Sequence, residues 1–243
     1  MNIIITMAGL GSRFREAGYN CPKYMIEANG KTLFEWSMDS LLDYNEHISK
    51  YIFIVRSEDN ARNFIGSKCK NYSIDDYEII ELDYQTDGQA TTAMLAMPYC
   101  DKSKEILIYN IDTYVEPGEL KYDDISGSGH IPCFKAEGTH WSFVKLDDNG
   151  RVTEIKEKER ISDNCTLGAY YFSTGLLYEQ MYNEYYSNND NHTNEEKYIA
   201  PMYNYMLTKG KEISISIVDS AKVHVLGTPN ELELFIKQRN AII

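Results

Sequence analysis

A glycine-rich stretch, "AGLGSR" at residues 8–13, follows directly after the apolar run "NIIIT". Because glycine has no Cβ, such a loop lets backbone N–H groups approach an anion closely, and its shape suits a triphosphate. Arg13 ends the stretch and Lys23 follows ten residues later, so two cations could neutralise the same phosphates. Glycines after a strand are also common in simple turns, and the stretch alone leaves both interpretations open.

A second candidate for chemistry is Asp112, which comes just after the apolar run in "EILIYNID". Ligands of open α/β sheets gather at the carboxyl ends of the strands. A carboxylate at that edge can hold a Mg²⁺ ion that bridges phosphate oxygens. An aspartate at this position can equally cap a turn or a helix, so Asp112 alone does not decide between the two roles.

Two common nucleotide-binding motifs nearly match this region and fail. A dinucleotide fingerprint that begins at Gly9 requires its third glycine at position 14, which is Phe14. The segment "GKT" at 30–32 resembles the end of a P-loop, but the first glycine would stand at position 25, which is Met25. We therefore interpret "GKT" as a turn followed by a helix cap at Thr32.

Alternating apolar runs predict the elements that position these residues. Short β-branched runs typical of buried parallel strands alternate with amphipathic segments, which predicts right-handed βαβ units. Strands are predicted at 2–6, 51–56, 78–82 and 105–110, and helices at 31–44, 58–67 and 88–97. The helix at 31–44 has capping-box spacing between Thr32 and Glu35. Its expected apolar face consists of Phe34, Met38, Leu41 and Leu42.

The pattern changes after residue 130. Strand-like segments with short connections follow one another at 131–136, 140–146, 151–157 and 167–173, and "DDNG" between two of them predicts a hairpin. Next come a helix at 174–186, a polar loop at 187–196, a helix at 197–209, strands around 213–226 and a helix from about Pro229. Without a repeat or a long linker, the chain is expected to form one α/β domain with a mixed sheet.

The charge balance excludes one class of partner. The chain has 37 acidic and 24 basic residues and a net charge of −13, which repels polyphosphate backbones, so we expect no nucleic-acid partner. Within residues 9–31 four basic side chains stand against two acidic ones: Arg13, Arg15, Lys23 and Lys31 against Glu16 and Glu27. This locally basic segment favours a small anionic ligand.

The remaining composition points to an ordinary intracellular protein. The five cysteines contain no C-x-x-C pair, which argues against a structural zinc site and a disulfide framework. The first apolar run is too short for a signal peptide, and no segment reaches the length of a membrane span. We therefore expect a cytoplasmic protein with no membrane partner.

Several motifs, taken in order, resemble the nucleotidyltransferase family that makes nucleotide sugars and related activated phosphates. They are Gly9-x-Gly11-Ser12-Arg13, Pro22-Lys23, Gln85 with Gly88-Gln89-Ala90, Asp112, Glu157-Lys158, Gly168-x-Tyr170 and Gly227-Thr228-Pro229. The resemblance covers nearly the whole chain. It implies one Rossmann-like, GT-A-like α/β domain over residues 1–243, with a mostly parallel mixed central sheet flanked by helices. Residues 1–125 would then bind the nucleotide and residues 126–243 the acceptor.

The resemblance also implies roles for individual residues. The catalytic groups would be Arg13 and Lys23, which neutralise the triphosphate, and Asp112, which binds Mg²⁺. The nucleotide would be bound by the same two cations together with Ala8, Gly9, Gly11, Ser12, Gln85, Gly88 and Gln89, with Gln85 and Gly88 reading the base. The phosphorylated acceptor would be bound by Glu157, Lys158, Gly168 and Tyr170.

The chain departs from the family pattern at one position. Many members carry a second metal-binding aspartate two residues before the Gly-Thr-Pro motif, and here that residue is Val225. Either Asp112 and the phosphates hold the metal alone, or another carboxylate such as Asp219 takes the missing place.

Further segments resemble the small capsule-locus branch of the family, the phosphoglutamine cytidylyltransferases of phosphoramidate capsule modification. They are "PKYMIEANGKTLFEW", "ERIS", "GAYYF" and "KYIAPMYN". This resemblance implies that MgCTP and L-glutamine phosphate give CDP-L-glutamine and pyrophosphate. Within the family, a phosphocholine or a sugar-1-phosphate nucleotidyltransferase is the alternative, and a homodimer is left open.

Two rival functions belong to other classes. A glycosyltransferase of related fold would use Asp112 in a metal-binding pair, but Tyr114 occupies the position of the usual second acidic residue. A nucleotide-binding regulator without catalysis is favoured by Val225, because that residue cannot bind a metal.

Overall fold

The computed structural model describes residues 1–186 and 196–240. The strands in this part of the chain are β1 (Asn2–Thr6), β2 (Glu27–Ala28), β3 (Lys31–Thr32), β4 (Lys50–Arg56), β5 (Tyr77–Leu82), β6 (Ile106–Asn110), β7 (Thr113–Val115), β8 (Gly129–Lys135), β9 (Ser142–Leu146), β10 (Val152–Glu157), β11 (Asn164–Thr166), β12 (Ala169–Phe172), β13 (Ile213–Ile217) and β14 (Val223–Val225). The α-helices are α1 (Ser12–Glu16), α2 (Leu33–Asp39), α3 (Arg62–Asn71), α4 (Gln89–Met94), α5 (Gly175–Tyr186), α6 (Ala200–Thr208) and α7 (Pro229–Asn240). Of the predicted polar loop at 187–196, residues 187–195 lie outside the described residues.

Ten of the described strands form one sheet, in the order β10-β9-β11-β8-β12-β6-β1-β4-β5, with β13 paired to β8. Strands β6, β1, β4 and β5 run parallel to one another. Strand β12 joins β6 in antiparallel orientation and leads into the second half of the sheet. The predicted α/β domain with a mixed, mostly parallel sheet flanked by helices is therefore confirmed.

Helices cover both faces of the sheet, which explains why β1 is apolar on both sides. Ile3 and Ile5 pack in a core with α2 and α3, whereas Ile4 packs on the opposite face with α4 and α6. All three side chains are fully buried, and burying each one stabilises the fold by about 2 kcal/mol. Strand β1 is thereby fixed at the centre of the sheet, and the glycine-rich stretch begins where it ends.

The helix predicted at 31–44 is shorter than expected. Its start is confirmed, because the Glu35 amide donates to Thr32 Oγ1 at 3.3 Å and the Thr32 amide donates to Glu35 Oε2 at 2.8 Å. Helix α2 ends at Asp39, and Leu42, predicted to be buried, is 38% exposed. Ser40 Oγ accepts the Val115 amide of β7 at 2.9 Å, and the chain then forms a 3-10 helix at Leu42–His47 in place of the continued α-helix that the periodicity predicts.

The other differences concern element ends and very short strands. Helix α3 begins at Arg62 instead of residue 58, and α4 ends at Met94 instead of residue 97. Strands β2, β3, β7 and β11 have two or three residues each, too few for a periodic signal. Within the described ranges no helix is both long enough and apolar enough to cross a membrane.

Candidate active site

A cavity of about 510 Å³ lies at the carboxyl ends of β1 and β6. The predicted site residues that line it are Ala8, Gly9, Gly11, Arg13, Lys23, Gln85, Gly88, Gln89, Asp112, Glu157, Lys158, Gly168 and Tyr170. Of the predicted residues, which all lie in the described part of the chain, Ser12 alone does not line the cavity. It begins α1 and is exposed to solvent.

Lys23 and Asp112 form an ion pair inside the cavity. Lys23 Nζ donates to Asp112 Oδ2 at 2.8 Å, although the two residues are far apart in sequence. Burial opposes ionisation of Asp112, but the charge of Lys23 and this hydrogen bond hold the pKa of Asp112 below its usual value. Asp112 is therefore an anion at neutral pH, with a cation already beside it.

Arg13 brings a second cation to the same cavity. Its side chain lies on the exposed face of α1, and it makes no ion pair with any residue in 1–186 or 196–240. Arg15, by contrast, donates to Glu58 Oε1 at 3.0 Å. A guanidinium that lacks a protein partner beside an open cavity is available to an anionic ligand.

The turn before α4 is anchored to a distant part of the chain. The Ala90 amide donates to the Lys197 carbonyl at 3.0 Å, and the Lys197 amide donates to the Asp87 carbonyl at 2.7 Å. Gly88 lies between these bonds with φ of +143°, and a Cβ there would come within 2.5 Å of Lys197 N. The close approach and the dihedral angle both require glycine at this position.

Gln89 ties the turn to the central strands. Its Nε2 donates to Thr6 Oγ1 at 3.0 Å and also to Asn110 Oδ1. Thr6 and Asn110 are the last residues of β1 and β6. Gln89 therefore lines the cavity with its amide nitrogen already engaged by the protein.

The opposite side of the cavity carries charged and hydroxyl groups, which we call the polar wall: Ser142, Glu157, Lys158, Thr166, Tyr170, Glu196 and Tyr198. Burial raises the pKa of Glu157, and the hydrogen bond donated by Ser142 Oγ offsets only part of this effect. Lys158 Nζ donates to Tyr198 OH and lies 4.4 Å from the centre of its ring. The polar wall thus offers groups of both charges within one surface.

Gly168 and Tyr170 connect the polar wall to β6. The Asn110 amide donates to the Gly168 carbonyl at 3.0 Å, and a Cβ on Gly168 would lie 2.5 Å from Asn110 Nδ2. The Tyr170 hydroxyl shares a hydrogen bond of 3.1 Å with Thr166 Oγ1. Because burial raises the pKa of Tyr170 to about 12, this hydroxyl stays protonated at neutral pH.

A carboxylate that sequence reasoning did not single out lies next to Asp112. A Cβ built on Gly227 would be 3.3 Å from Asp112 Oδ2 and 3.5 Å from Glu231 Oε2. Glu231 Oε2 is buried and has no hydrogen-bond partner among the described residues. Two carboxylate oxygens beside a space that glycine keeps open fit the oxygen-preferring Mg²⁺ ion that the family resemblance implies.

Asp219 does not take part in this arrangement. Its side chain accepts the Ala221 amide at 3.0 Å and it does not line the cavity, so it cannot replace the missing aspartate. Within the described residues no group of three or more histidine, cysteine or acidic side chains could hold a metal ion. A cation here would therefore be held by two protein carboxylates, with water or ligand oxygens completing its coordination. The sequence signal for Glu231 was its position three residues after Thr228, which is capping-box spacing.

Comparison with known proteins finds chains of the same fold. A nucleoside-diphosphate-sugar pyrophosphorylase from Vibrio cholerae RC9 has a similar structure, with a TM-score of 0.89 and 34% sequence identity. The match covers 98% of this chain and 100% of that chain. An inositol-1-phosphate CTP transferase from T. maritima shares the fold, with a TM-score of 0.75 and 16% identity over 98% of this chain and 96% of its own.

The match to a curated protein covers less of the chain. The bifunctional protein GlmU of Methanocaldococcus jannaschii is 25% identical over 158 residues, which is 65% of this chain and 36% of that protein. The match therefore spans about a third of that relative's length. No family model matches the chain. With 34% identity to the Vibrio protein over nearly the full length of both chains, this chain belongs to the sugar-phosphate nucleotidyltransferase family.

Proposed function

We propose that this protein transfers CMP from CTP to L-glutamine phosphate and releases pyrophosphate. The proposal rests on the residues that line the cavity described above. A glycine-rich loop, Arg13 and the Lys23–Asp112 pair line one side, and the polar wall with its charges of both signs lines the other. A nucleoside triphosphate and a small charged acceptor can therefore meet between them.

The transfer requires positioning and charge neutralisation more than a covalent nucleophile. An acceptor phosphate oxygen attacks the α-phosphorus in line, a new P–O bond forms, and the bond to the pyrophosphate oxygen breaks. Arg13 and Lys23 stabilise the negative charge on the α-phosphate and on the departing pyrophosphate. A bound Mg²⁺ ion would supply further neutralisation between phosphate oxygens, and Asp112 would hold it.

The polar wall supports an amino-acid phosphate as the acceptor. L-glutamine phosphate carries an ammonium, a carboxylate and a phosphate. Glu157 presents an anion to the cavity and Lys158 a cation, so each can pair with a group of opposite charge. The resemblance to the capsule-locus branch, with its CTP donor, supports the same substrates.

A sugar-1-phosphate is the second candidate acceptor. The polar wall also has the hydroxyls of Ser142, Thr166 and Tyr170, which can bond sugar hydroxyls. The 34% identical Vibrio protein is named for a nucleoside-diphosphate sugar. This candidate differs from the first in the acceptor, so an assay with both acceptors separates the two.

The decisive experiment is a matrix of CTP, UTP, dTTP and ATP against L-glutamine phosphate, phosphocholine and glucose 1-phosphate. Pyrophosphate release is the readout. We expect turnover with CTP and L-glutamine phosphate. Turnover confined to UTP or dTTP with the sugar phosphate would replace the first candidate by the second. Turnover confined to phosphocholine would identify phosphocholine as the acceptor instead.

The same measurements test the two other classes of function. A glycosyltransferase would move sugar from a nucleoside-diphosphate sugar without releasing pyrophosphate. The position of the usual second acid is occupied by Tyr114, whose side chain is buried in a core with Trp36 and Phe235 of α7. A regulator would bind CTP tightly and turn over none of the acceptors.

Glu157→Gln tests the polar wall. We expect the KM for L-glutamine phosphate to rise by about tenfold, because a charge-assisted hydrogen bond is lost. In the wild type this KM should also rise as the pH falls through the raised pKa of Glu157, since protonation removes the carboxylate charge. This rise in KM at low pH should begin at a higher pH than an ordinary glutamate would give. It should be absent from Glu157→Gln. Acceptor KM and CTP KM measured across pH check both points.

Glu159→Gln is the matched control for this test. Glu159 lies two residues further along, is 67% exposed and does not line the cavity. Its variant should keep the wild-type KM for both substrates and the wild-type pH profile. A change in the KM for CTP alone in Glu157→Gln would place Glu157 with the nucleotide and contradict the assignment.

A further inference from the structure

We infer that Glu231 supplies the second protein carboxylate of the metal site in this chain, where Val225 cannot. The inference rests on the proposed metal-dependent transfer and deepens it. It assigns a side chain in the first turn of α7 to an ion that Asp112 would otherwise hold together with phosphate oxygens alone.

The backbone fixes the start of α7 beside Asp112. The Leu226 amide donates to the Asp112 carbonyl at 2.8 Å. Strand β14, which precedes this residue, pairs with β7, and Val225 lies opposite Thr113. The chain that leads into α7 is thus attached at Asp112 and at the residue after it, and Glu231 lies in the first turn of α7.

Gly227 keeps the space between the two carboxylates open. Asp112 Oδ2 and Glu231 Oε2 both lie within 3.5 Å of the point that a Cβ on Gly227 would occupy. Val225 lines the same cavity, but its side chain has no donor atom for a metal. An ion in this space would therefore meet one carboxylate from the β6–β7 connection and one from α7.

In a complete capping box the Glu231 carboxylate would accept a hydrogen bond from the backbone amide of Thr228, and here it does not. In the capping box of α2, Thr32 and Glu35 each bond the other's backbone amide. At α7 the Glu231 amide donates to Thr228 Oγ1 at 3.3 Å, so the first half of the same arrangement is present. The carboxylate oxygen Oε2, however, is buried without a hydrogen-bond partner in the described residues.

A buried carboxylate oxygen without a partner is costly, and a second anion nearby adds to the cost. Lys23 donates to Asp112, as described above, and no cation in residues 1–186 or 196–240 hydrogen-bonds Glu231 Oε2. A divalent cation that binds both carboxylates removes both penalties at once. This is the physical reason to assign Glu231 to the metal.

Glu231→Gln tests the assignment by metal binding instead of activity. Mn²⁺ alone is titrated into the full chain, and its electron paramagnetic resonance signal reports free ion. We expect the variant to bind Mn²⁺ at least roughly tenfold more weakly than the wild type, as loss of metal-site groups commonly does. Glu233→Gln makes the same substitution on the exposed side of the same helix and should bind like the wild type.

Two further variants separate a ligand role from a structural one. Gly227→Ala places a methyl group in the space between the carboxylates and should weaken Mn²⁺ binding with an unchanged unfolding temperature. Val225→Asp added to Glu231→Gln should restore affinity. Wild-type affinity in Glu231→Gln, or a wild-type protein that does not bind Mn²⁺, would overturn the inference. Pyrophosphate release in the substrate matrix reports the proposed function separately.

Discussion

Lys23→Ala is expected to lower kcat by about a hundredfold or more, as loss of a preorganised charge-stabilising group commonly does. The Lys23 side chain is only 20% exposed and is held at 2.8 Å from Asp112, so its charge is already in place before substrates arrive. On the proposed mechanism this charge is used at the α-phosphate and the leaving pyrophosphate. The measurement is pyrophosphate release with both substrates saturating, together with thermal unfolding.

A control variant and a double-mutant cycle test whether the loss of kcat is specific to Lys23. Lys104 is 49% exposed, lies outside the cavity and approaches Asp101 only to 4.0 Å, so Lys104→Ala should keep wild-type kcat. Combining Lys23→Ala with Asp112→Asn shows whether Lys23 acts only by holding Asp112. If Lys23 contacts phosphate, Lys23→Ala should lower kcat by about a further tenfold in the Asp112→Asn background. No further loss there, or wild-type turnover of Lys23→Ala, would contradict the catalytic role.

The residues that follow parallel strands were the most predictable part of the site. The stretch after β1 and Asp112 after β6 could be placed together because β1 and β6 pair in parallel and end at the same edge. The periodicity that located these strands reflects burial on both faces, which a sequence records directly. The prediction of their common edge therefore needed no knowledge of side-chain directions.

The features that the sequence did not predict depend on tertiary contacts. Capping spacing could place Glu231 at the start of a helix, but its direction depends on the bond between Leu226 and Asp112. The end of α2 depends on the bond from Val115 to Ser40 in the same way. Ser12 belongs to the motif, yet its place on α1 turns it to solvent. Such contacts join residues distant in sequence and leave no periodic signal.

The contact between Gly88 and Lys197 joins the two sides of the cavity. Gln85 and Gln89 lie on the strand-edge side, whereas Glu196 and Tyr198 belong to the opposite side. An ion pair of 2.8 Å between Asp87 and the Lys197 side chain accompanies the two backbone hydrogen bonds described above. Any displacement at this contact must therefore alter the spacing of the two sides, where the proposed nucleotide and acceptor would bind.

Gly88→Ala is expected to lower the free energy of unfolding by about 3 kcal/mol or more, from a glycine-only backbone region together with a steric clash. With φ of +143° and ψ of 173°, Gly88 has a backbone conformation that side chains disfavour. The new Cβ would lie 2.5 Å from Lys197 N and close to the Lys197 carbonyl oxygen, so the backbone there must move. Denaturant unfolding measures the loss, and kcat/KM for both substrates should fall with it.

Gly150→Ala is the control that separates the effect of backbone strain from the effect of the contact with Lys197. Gly150 has φ of +78° in the hairpin between β9 and β10, and nothing lies within 4 Å of its added Cβ. Alanine there should cost about 1 kcal/mol from the dihedral angle alone and leave kcat/KM unchanged. If Gly88→Ala cost no more than Gly150→Ala, or lost activity toward the nucleotide but not the acceptor, the contact with Lys197 would not join the two sides. A loss shared by both substrates, measured where Gly88→Ala is still fully folded, is the result expected if one backbone contact sets the distance between them.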